Sequence, residues 1–326
     1  MQAFTIVPYA DKDFQAWNRF VEDSNNGTIF HRLDFLSYHG DRFKNNENHL
    51  MIFKDKALFA VLPLGIFKDG GKQIARSPFG ASNGGPVFNK PPNYSESRDF
   101  IKTLVEYLRS QKVNELHFML NPGCYEKIYC ETFRFALLEE GFVSVKRDIT
   151  SVIALNETLP EAAMLKRKAA DLARKVRKAK KAGIEIHFDS PLDDFKIVFE
   201  KTYNRLQKKA THTIEELKTL SEKVKGISFE VGYVKDKPVV GICHFAVNRQ
   251  CLKTFYLCQD FDFKETQCLT YLIYESIMES KVKGYAWYDL GTSSTDMVGK
   301  TNIFQFKESL GSLGQFRESF VLRFKN

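Results

Sequence analysis

The sequence predicts an α/β (α+β) protein of two domains, each a mixed sheet flanked by helices. Three observations carry this reading. At 326 residues the chain is longer than one hydrophobic core usually serves. In the first half, helical and strand patterns follow one another as α-β-β-β-α-β-α-β, an order that suits a layered α/β domain. The halves also echo each other: Ile52-Phe53-Lys54-Asp55-Lys56-Ala57 lines up with Tyr233-Val234-Lys235-Asp236-Lys237-Pro238, and each then runs on through a strand, a long helix and another strand. The expected domains are residues 1–156 and 157–326.

Asp11–Glu22 reads as a helix with Phe14, Trp17 and Val21 on one face, and a short helix follows around Leu33–His39. Strands are expected at His49–Phe53 and Ala57–Phe67, joined at Lys54-Asp55-Lys56. Gly80, Gly84, Gly85 and Pro86 then forbid regular structure. Such a stretch suits close approach of backbone to a ligand, or is a plain wide loop. A helix from Ser95 or Glu96 to Gln111 should bury Phe100, Leu104, Val105 and Leu108. Next come a strand at Glu115–Leu120, a helix at Tyr125–Glu140 ended by Gly141, and an extended run at Phe142–Leu155.

Thr158-Leu159-Pro160-Glu161 opens a basic helix in which Leu165, Ala169, Leu172, Val176 and Ala179 form a narrow inward stripe, and Gly183 ends it. Ile184–Phe188 alternates as a strand, Leu192–Lys209 is helical, and Thr213-Ile214-Glu215-Glu216 is a capping box opening another helix. Strands follow at Ser228–Val234, Val239–Val247 and Cys251–Gln259, then a helix at Glu265–Lys283, a strand at Ala286–Leu290 and a last strand at Phe316–Phe324.

Composition narrows the class. Hydrophobic residues make up 43% and charged residues 27%, as in soluble globular proteins. No apolar run approaches the ~20 residues that cross a bilayer, and Met-Gln-Ala-Phe-Thr-Ile lacks the basic and apolar regions of a leader. The six cysteines show neither C-x-x-C nor metal spacing with histidine, so reduced thiols in a cytoplasmic protein and no metal site are expected. The net charge is +8, and Lys166–Lys181, with nine Lys/Arg and one Asp, carries all of it. An anionic partner would meet this segment, unless it is simply a solvated face.

One stretch looks chemical. Trp287-Tyr288-Asp289-Leu290 alternates as a strand, Gly291 ends it, Thr292–Asp296 is polar, and Phe306-Lys307 returns shortly before Gly311. A strand end with a carboxylate and a nearby lysine is a candidate site. No Walker loop, G-x-S-x-G or H-E-x-x-H competes with it.

Tyr-Asp-Leu-Gly followed by Phe-Gln-Phe-Lys-Glu-Ser-Leu-Gly resembles the C-terminal signature of FemAB-type acyltransferases. Arg174–Ile184 resembles the Arg-Lys-Ala-x-Lys-x-Gly segment that opens that family's second half, and Gly84-Gly85-Pro86-Val87-Phe88 resembles a segment of its first. The resemblance spans nearly the whole chain. It implies two GNAT-like (acyl-CoA N-acyltransferase fold) domains with mostly antiparallel sheets. It also implies transfer of an acyl or aminoacyl group from an activated donor, aminoacyl-tRNA or acyl-CoA, to an amine on a small molecule or cell-envelope precursor, as in enzymes that build peptidoglycan bridges. No tightly bound cofactor is implied. Lys307 would stabilise the oxyanion, and Asp289 would either orient the acceptor or hold the loop after it.

Phe306, Gly84, Gly85, Tyr38, Asn89, Arg174, Arg177 and Lys178 would contact substrate. The last three would meet tRNA or a pyrophosphate. Asn89 stands where the peptidoglycan branch usually carries an aspartate, and Tyr38 where that branch carries a lysine, which implies a different acceptor. Asp260–Thr266 has no glycine where GNAT enzymes cradle the CoA pyrophosphate on backbone N–H groups, which argues against acetyl-CoA. The reading from another class is a non-catalytic protein on the same scaffold that binds nucleic acid, another polyanion or an envelope precursor.

Overall fold

A computed structural model describes residues 4–324. The chain opens with strand β1 (Phe4–Pro8), helices α1 (Phe14–Asp23) and α2 (Leu33–Leu36), and strands β2 (Leu50–Lys54) and β3 (Ala57–Leu62). Strands β4 (Gly65–Asp69), β5 (Lys72–Ser77) and β6 (Val87–Phe88) follow, then α3 (Tyr94–Ser110), β7 (Glu115–Met119), α4 (Thr132–Glu139) and β8 (Val143–Ala154). The remainder holds α5 (Ala163–Lys181), β9 (Ile184–His187), α6 (Leu192–Leu206), α7 (Ile214–Lys223), β10 (Ile227–Val234), β11 (Lys237–Asn248), β12 (Cys251–Gln259) and α8 (Cys268–Val282). It ends with β13 (Trp287–Thr292), β14 (Ser294–Thr295), β15 (Val298–Gly299), α9 (Thr301–Glu308) and β16 (Leu313–Arg323). Two units emerge, Met1–Ile149 with Phe316–Asn326, and Thr150–Gln315. No helix among the described residues is long and apolar enough to cross a membrane.

In the first unit β1, β2, β3 and β6 form an antiparallel sheet. The expected single strand Ala57–Phe67 is two strands, because Pro63 cannot donate to a ladder and the chain leaves β3 there. β4 pairs with β5, β5 runs parallel to β7, and β7 pairs with β16. The last strand thus joins the first unit rather than the 157–326 domain expected from sequence. The core gathers Leu50, Ile52, Phe100, Leu104, Phe118 and Phe320. Tyr125–Glu140 is helical only from Thr132; a single 3₁₀ turn stands at Gly123–Tyr125.

In the second unit the strand order is β8, β13, β12, β11, β10, β9, and β12–β13 is its one parallel pair. Gly241 lies under α6, since a Cβ there would sit 2.7 Å from Val198 and 2.9 Å from Phe195. Its neighbour Ile242 joins the core beneath α5 and α8. Alternation therefore puts the two sets of helices on opposite faces. The capping box opening α7 forms as the sequence predicts: Glu216 N–H donates to Thr213 Oγ1 at 3.1 Å and Thr213 N–H to Glu216 Oε2 at 2.9 Å.

The echo between the halves survives with a shift of one residue. The hairpin loops are Asp55-Lys56 and Lys235-Asp236, since Lys54 pairs with Ala57 and Val234 with Lys237. Each hairpin carries a bulge just before its turn, at Ile52/Phe53 and Gly232/Tyr233. The Lys-Asp-Lys sequences match, but the turns are built on different members of the triplet.

Candidate active site

The site is built where β12 and β13 part. Their parallel pairing covers Cys251–Lys253 against Trp287–Asp289, while both strands run on. Gly291 adopts φ +79°, a conformation that favours glycine, and turns β13 away. Asp289 is fully buried. Its Oδ1 accepts from Thr150 Oγ1 at 2.6 Å and from the Gly291 N–H at 2.7 Å, and its Oδ2 accepts from Lys253 Nζ at 2.5 Å. A buried carboxylate so supplied with donors, one of them cationic, satisfies the condition for holding a charge out of water.

Lys307 approaches from the other side. It lies near the C-terminal end of α9, three residues before the fully buried Leu310, so the lysine faces inward and is 5% exposed. Its Nζ donates to the carbonyl oxygens of Gly291 at 2.7 Å and Thr292 at 2.8 Å. Burial pushes its ammonium down to about 7 from 10.5; Asp289 opposes that shift, and Lys253 and Lys300 add to it. Two lysines therefore flank the turn: a Cβ on Gly291 would lie 3.9 Å from Lys253 Nζ and 4.0 Å from Lys307 Nζ. The loop beyond is tied by a Ser151–Ser293 hydroxyl contact of 2.6 Å and by Lys300 N–H donating to Ser293 O at 2.9 Å.

The fold thus brings Lys307 and Asp289 to one turn. Phe306, partly buried, packs against the α5/α8 core. Lys253 and Thr150 were missed in the sequence. The signal for Lys253 was a lysine inside the apolar run Cys251–Cys258, where an unpaired charge would be costly. Its partner depended on parallel register, which local pattern does not give.

The first-unit residues stand otherwise. Gly84 and Gly85 are buried against their own chain: a Cβ on Gly84 would sit 2.4 Å from Pro78 N, and one on Gly85 2.5 Å from Leu120 Cδ2. Gly84 borders a cavity of about 30 Å³ shared with Asn26, Asn121, Glu126 and Arg134, which is room for a water rather than a substrate. Tyr38 is half-buried, its ring 3.9 Å from that of His39, and Asn89 is exposed.

Arg174, Arg177 and Lys178 are exposed on α5, and Arg174 pairs with Asp171 at 2.8 Å. Asp260 is 5% exposed and held by Lys201 at 2.5 Å and Lys237 at 3.4 Å, so its charge is balanced at home. The segment after it, Phe261–Thr266, is a 3₁₀ helix rather than a glycine cradle. Among the described residues no group of three or more His, Cys, Asp or Glu is placed to hold a metal ion.

No family model matches the chain, and no curated protein matches it. Solved structures do. The crystal structure of FemX is similar at TM-score 0.71 and 12% identity, covering 98% of this chain and 97% of that one. The C-terminal domain of a putative lysylphosphatidylglycerol synthetase from Agrobacterium fabrum is similar at TM-score 0.60 and 12% identity, covering 95% and 91%. A tandem GNAT protein from the clavulanic acid biosynthesis pathway is similar at TM-score 0.54 and 9% identity, covering 98% of each chain. The chain has the duplicated GNAT-like fold.

Proposed function

We propose that this chain is a FemAB-type N-acyltransferase whose site is the Lys307–Gly291–Asp289 turn, and that its donor is an aminoacyl-tRNA. The observation that carries the reading is Lys307: a buried amine held on two carbonyl oxygens at 2.7 and 2.8 Å, with its ammonium brought to about 7. Two of its hydrogens are committed to Gly291 and Thr292. The third position carries either a proton or the lone pair, so one proton decides whether the group donates or accepts. Perturbed groups of this kind concentrate at functional sites.

In the proposed reaction the acceptor nitrogen attacks the acyl carbonyl carbon. A C–N bond forms, and the tetrahedral oxyanion takes the third Lys307 N–H. Collapse breaks the C–O bond of the tRNA ester, or the C–S bond if the donor is a thioester. The proton lost by nitrogen ends on the leaving oxygen or sulfur. Asp289 and Lys253 are positioning residues: the carboxylate fixes the Gly291 N–H, hence the two carbonyls that aim Lys307. The acceptor is an amine on a small molecule or an envelope precursor.

Support for tRNA over CoA comes from the exposed Arg177 and Lys178 on a helix carrying the chain's whole +8 excess, and from the 3₁₀ helix where a phosphate cradle would stand. The test is filter retention of charged tRNA with label transfer to an amine panel, set beside calorimetry with acetyl-CoA. Arg177→Gln with Lys178→Gln should weaken retention at low salt, the loss shrinking as salt rises. Unchanged retention with micromolar acetyl-CoA binding would move the donor to CoA; no transfer from either donor would refute the transferase reading.

A further inference from the structure

The second unit holds an apolar cleft that no part of this mechanism uses. It measures about 170 Å³ and lies between the first half of α5 and the last turns of α8. Leu165, Ala169 and Leu172 form one wall, and Tyr274 and Met278 the other. The cleft is open to solvent on one side rather than enclosed, and its volume is comparable to that of an apolar cavity of about 150 Å³ that takes up benzene.

Its origin is visible in the sequence. The inward stripe of α5 is large at Leu172 and Val176 but small at Ala169, which is exposed rather than packed. The helix cannot slide inward to close the gap, because Gly311, at φ +90°, already brings its backbone against it. A Cβ there would lie 2.7 Å from Leu165 Cα.

The mouth is charged. Lys281 and Lys166 both border it, and both pair with Glu157, the second at 3.8 Å. Their side chains are 41% and 67% exposed, and that of Glu157 is 54% exposed. A single exposed carboxylate thus bridges two cations above an apolar cleft, at the start of the segment with nine Lys/Arg and one Asp. Exposed ion pairs of this kind are weak, so another anion can exchange for Glu157.

We propose that this cleft is a binding site for an anionic amphiphile: an apolar group of about benzene size seated against Ala169 and Met278, its carboxylate, sulfate or phosphate taking the place of Glu157 on Lys281 and Lys166.

The probes are hexanoate, hexylammonium and hexanol, titrated into the intact protein by calorimetry, with vesicles of anionic or zwitterionic phospholipid as separate arms. Hexanoate should bind and hexylammonium should not. Ala169→Leu should fill the cleft and abolish hexanoate binding with the thermal midpoint unchanged or raised, so that loss of binding is not loss of fold. Glu157→Gln should tighten hexanoate about two- to fivefold, the range that exposed ion pairs supply. Ala169-dependent binding to anionic vesicles would make the ligand a membrane lipid; hexanoate binding without vesicle binding would make it a free amphiphile. Equal binding of all three probes, unchanged binding by Ala169→Leu, or no effect of Glu157→Gln would overturn the proposal.

Discussion

Lys307→Met keeps the length and apolar stem of the side chain and removes its nitrogen. Two opposing effects on stability can be sized. An amine whose ammonium is brought from 10.5 to about 7 burdens the folded state at neutral pH by on the order of 4 kcal/mol relative to a lysine left in water, at about 1.4 kcal/mol per pH unit of displacement. Methionine sheds that burden. It also forfeits the hydrogen bonds to Gly291 O and Thr292 O and leaves those carbonyls without this donor, together on the order of 2–6 kcal/mol. The two nearly cancel, so the thermal midpoint at pH 7 should move little.

The pH dependence separates them. The folded value lies below the unfolded one, so between about 7 and 10.5 the unfolded chain binds more protons, and the lysine's burden eases as pH rises. Wild type should therefore gain on the variant above pH 7, by up to about 1.4 kcal/mol per pH unit, read as diverging thermal midpoints. In the transfer assay the variant should lose ~10²–10³ in rate. The ratio of wild-type to variant rate should fall above pH 7 as the oxyanion donor is deprotonated; taking the ratio cancels the titration of the acceptor amine. Parallel stability curves would refute the buried-amine account. A variant that melts several degrees lower yet keeps its rate would refute the catalytic role, and a ratio rising above pH 7 would make Lys307 a proton acceptor instead.

Lys253→Met should behave in the opposite way to Lys307→Met. It strands the fully buried Asp289 without its cation, a change that costs about 3–5 kcal/mol, and chemical denaturation should report a loss of that size even where Lys307→Met is neutral. A third prediction concerns Glu230, buried with its carboxyl in contact with Ser276 and 3.4 Å from His244. Burial raises it to about 7 from 4.5, so between those values the folded state holds the extra proton and stability falls as pH rises. Glu230→Gln should remove that slope, measured as the difference from wild type between pH 5 and 8, and should be the more stable protein at pH 8. Identical slopes would show that Glu230 titrates as an ordinary carboxylate.

Local patterns wrote much of this molecule. The Thr213–Glu216 cap, the presence of a tight hairpin at each Lys-Asp-Lys triplet though not the residues that make its turn, the basic helix ended by Gly183 at φ +74°, and the strand that delivers Asp289 depend on residues near in sequence and could be read there. Lys307 stands in the contiguous Phe-Lys-Glu-Ser-Leu-Gly segment, where its resemblance to the family signature, rather than any local pattern, singles it out. What stayed hidden depends on distant partners.

The lysine that neutralises Asp289 lies 36 positions away, and only a parallel register set by the intervening α8 crossover brings it alongside. Gly84 and Gly85 look like a ligand loop in sequence, yet the tertiary structure spends their missing side chains on close approach to Pro78 and Leu120. Ala169 completes a helical stripe on paper, but a stripe records only which face turns inward. Whether that face meets a neighbour or leaves an open cleft depends on side-chain volume on a second helix, a long-range quantity that periodicity does not carry.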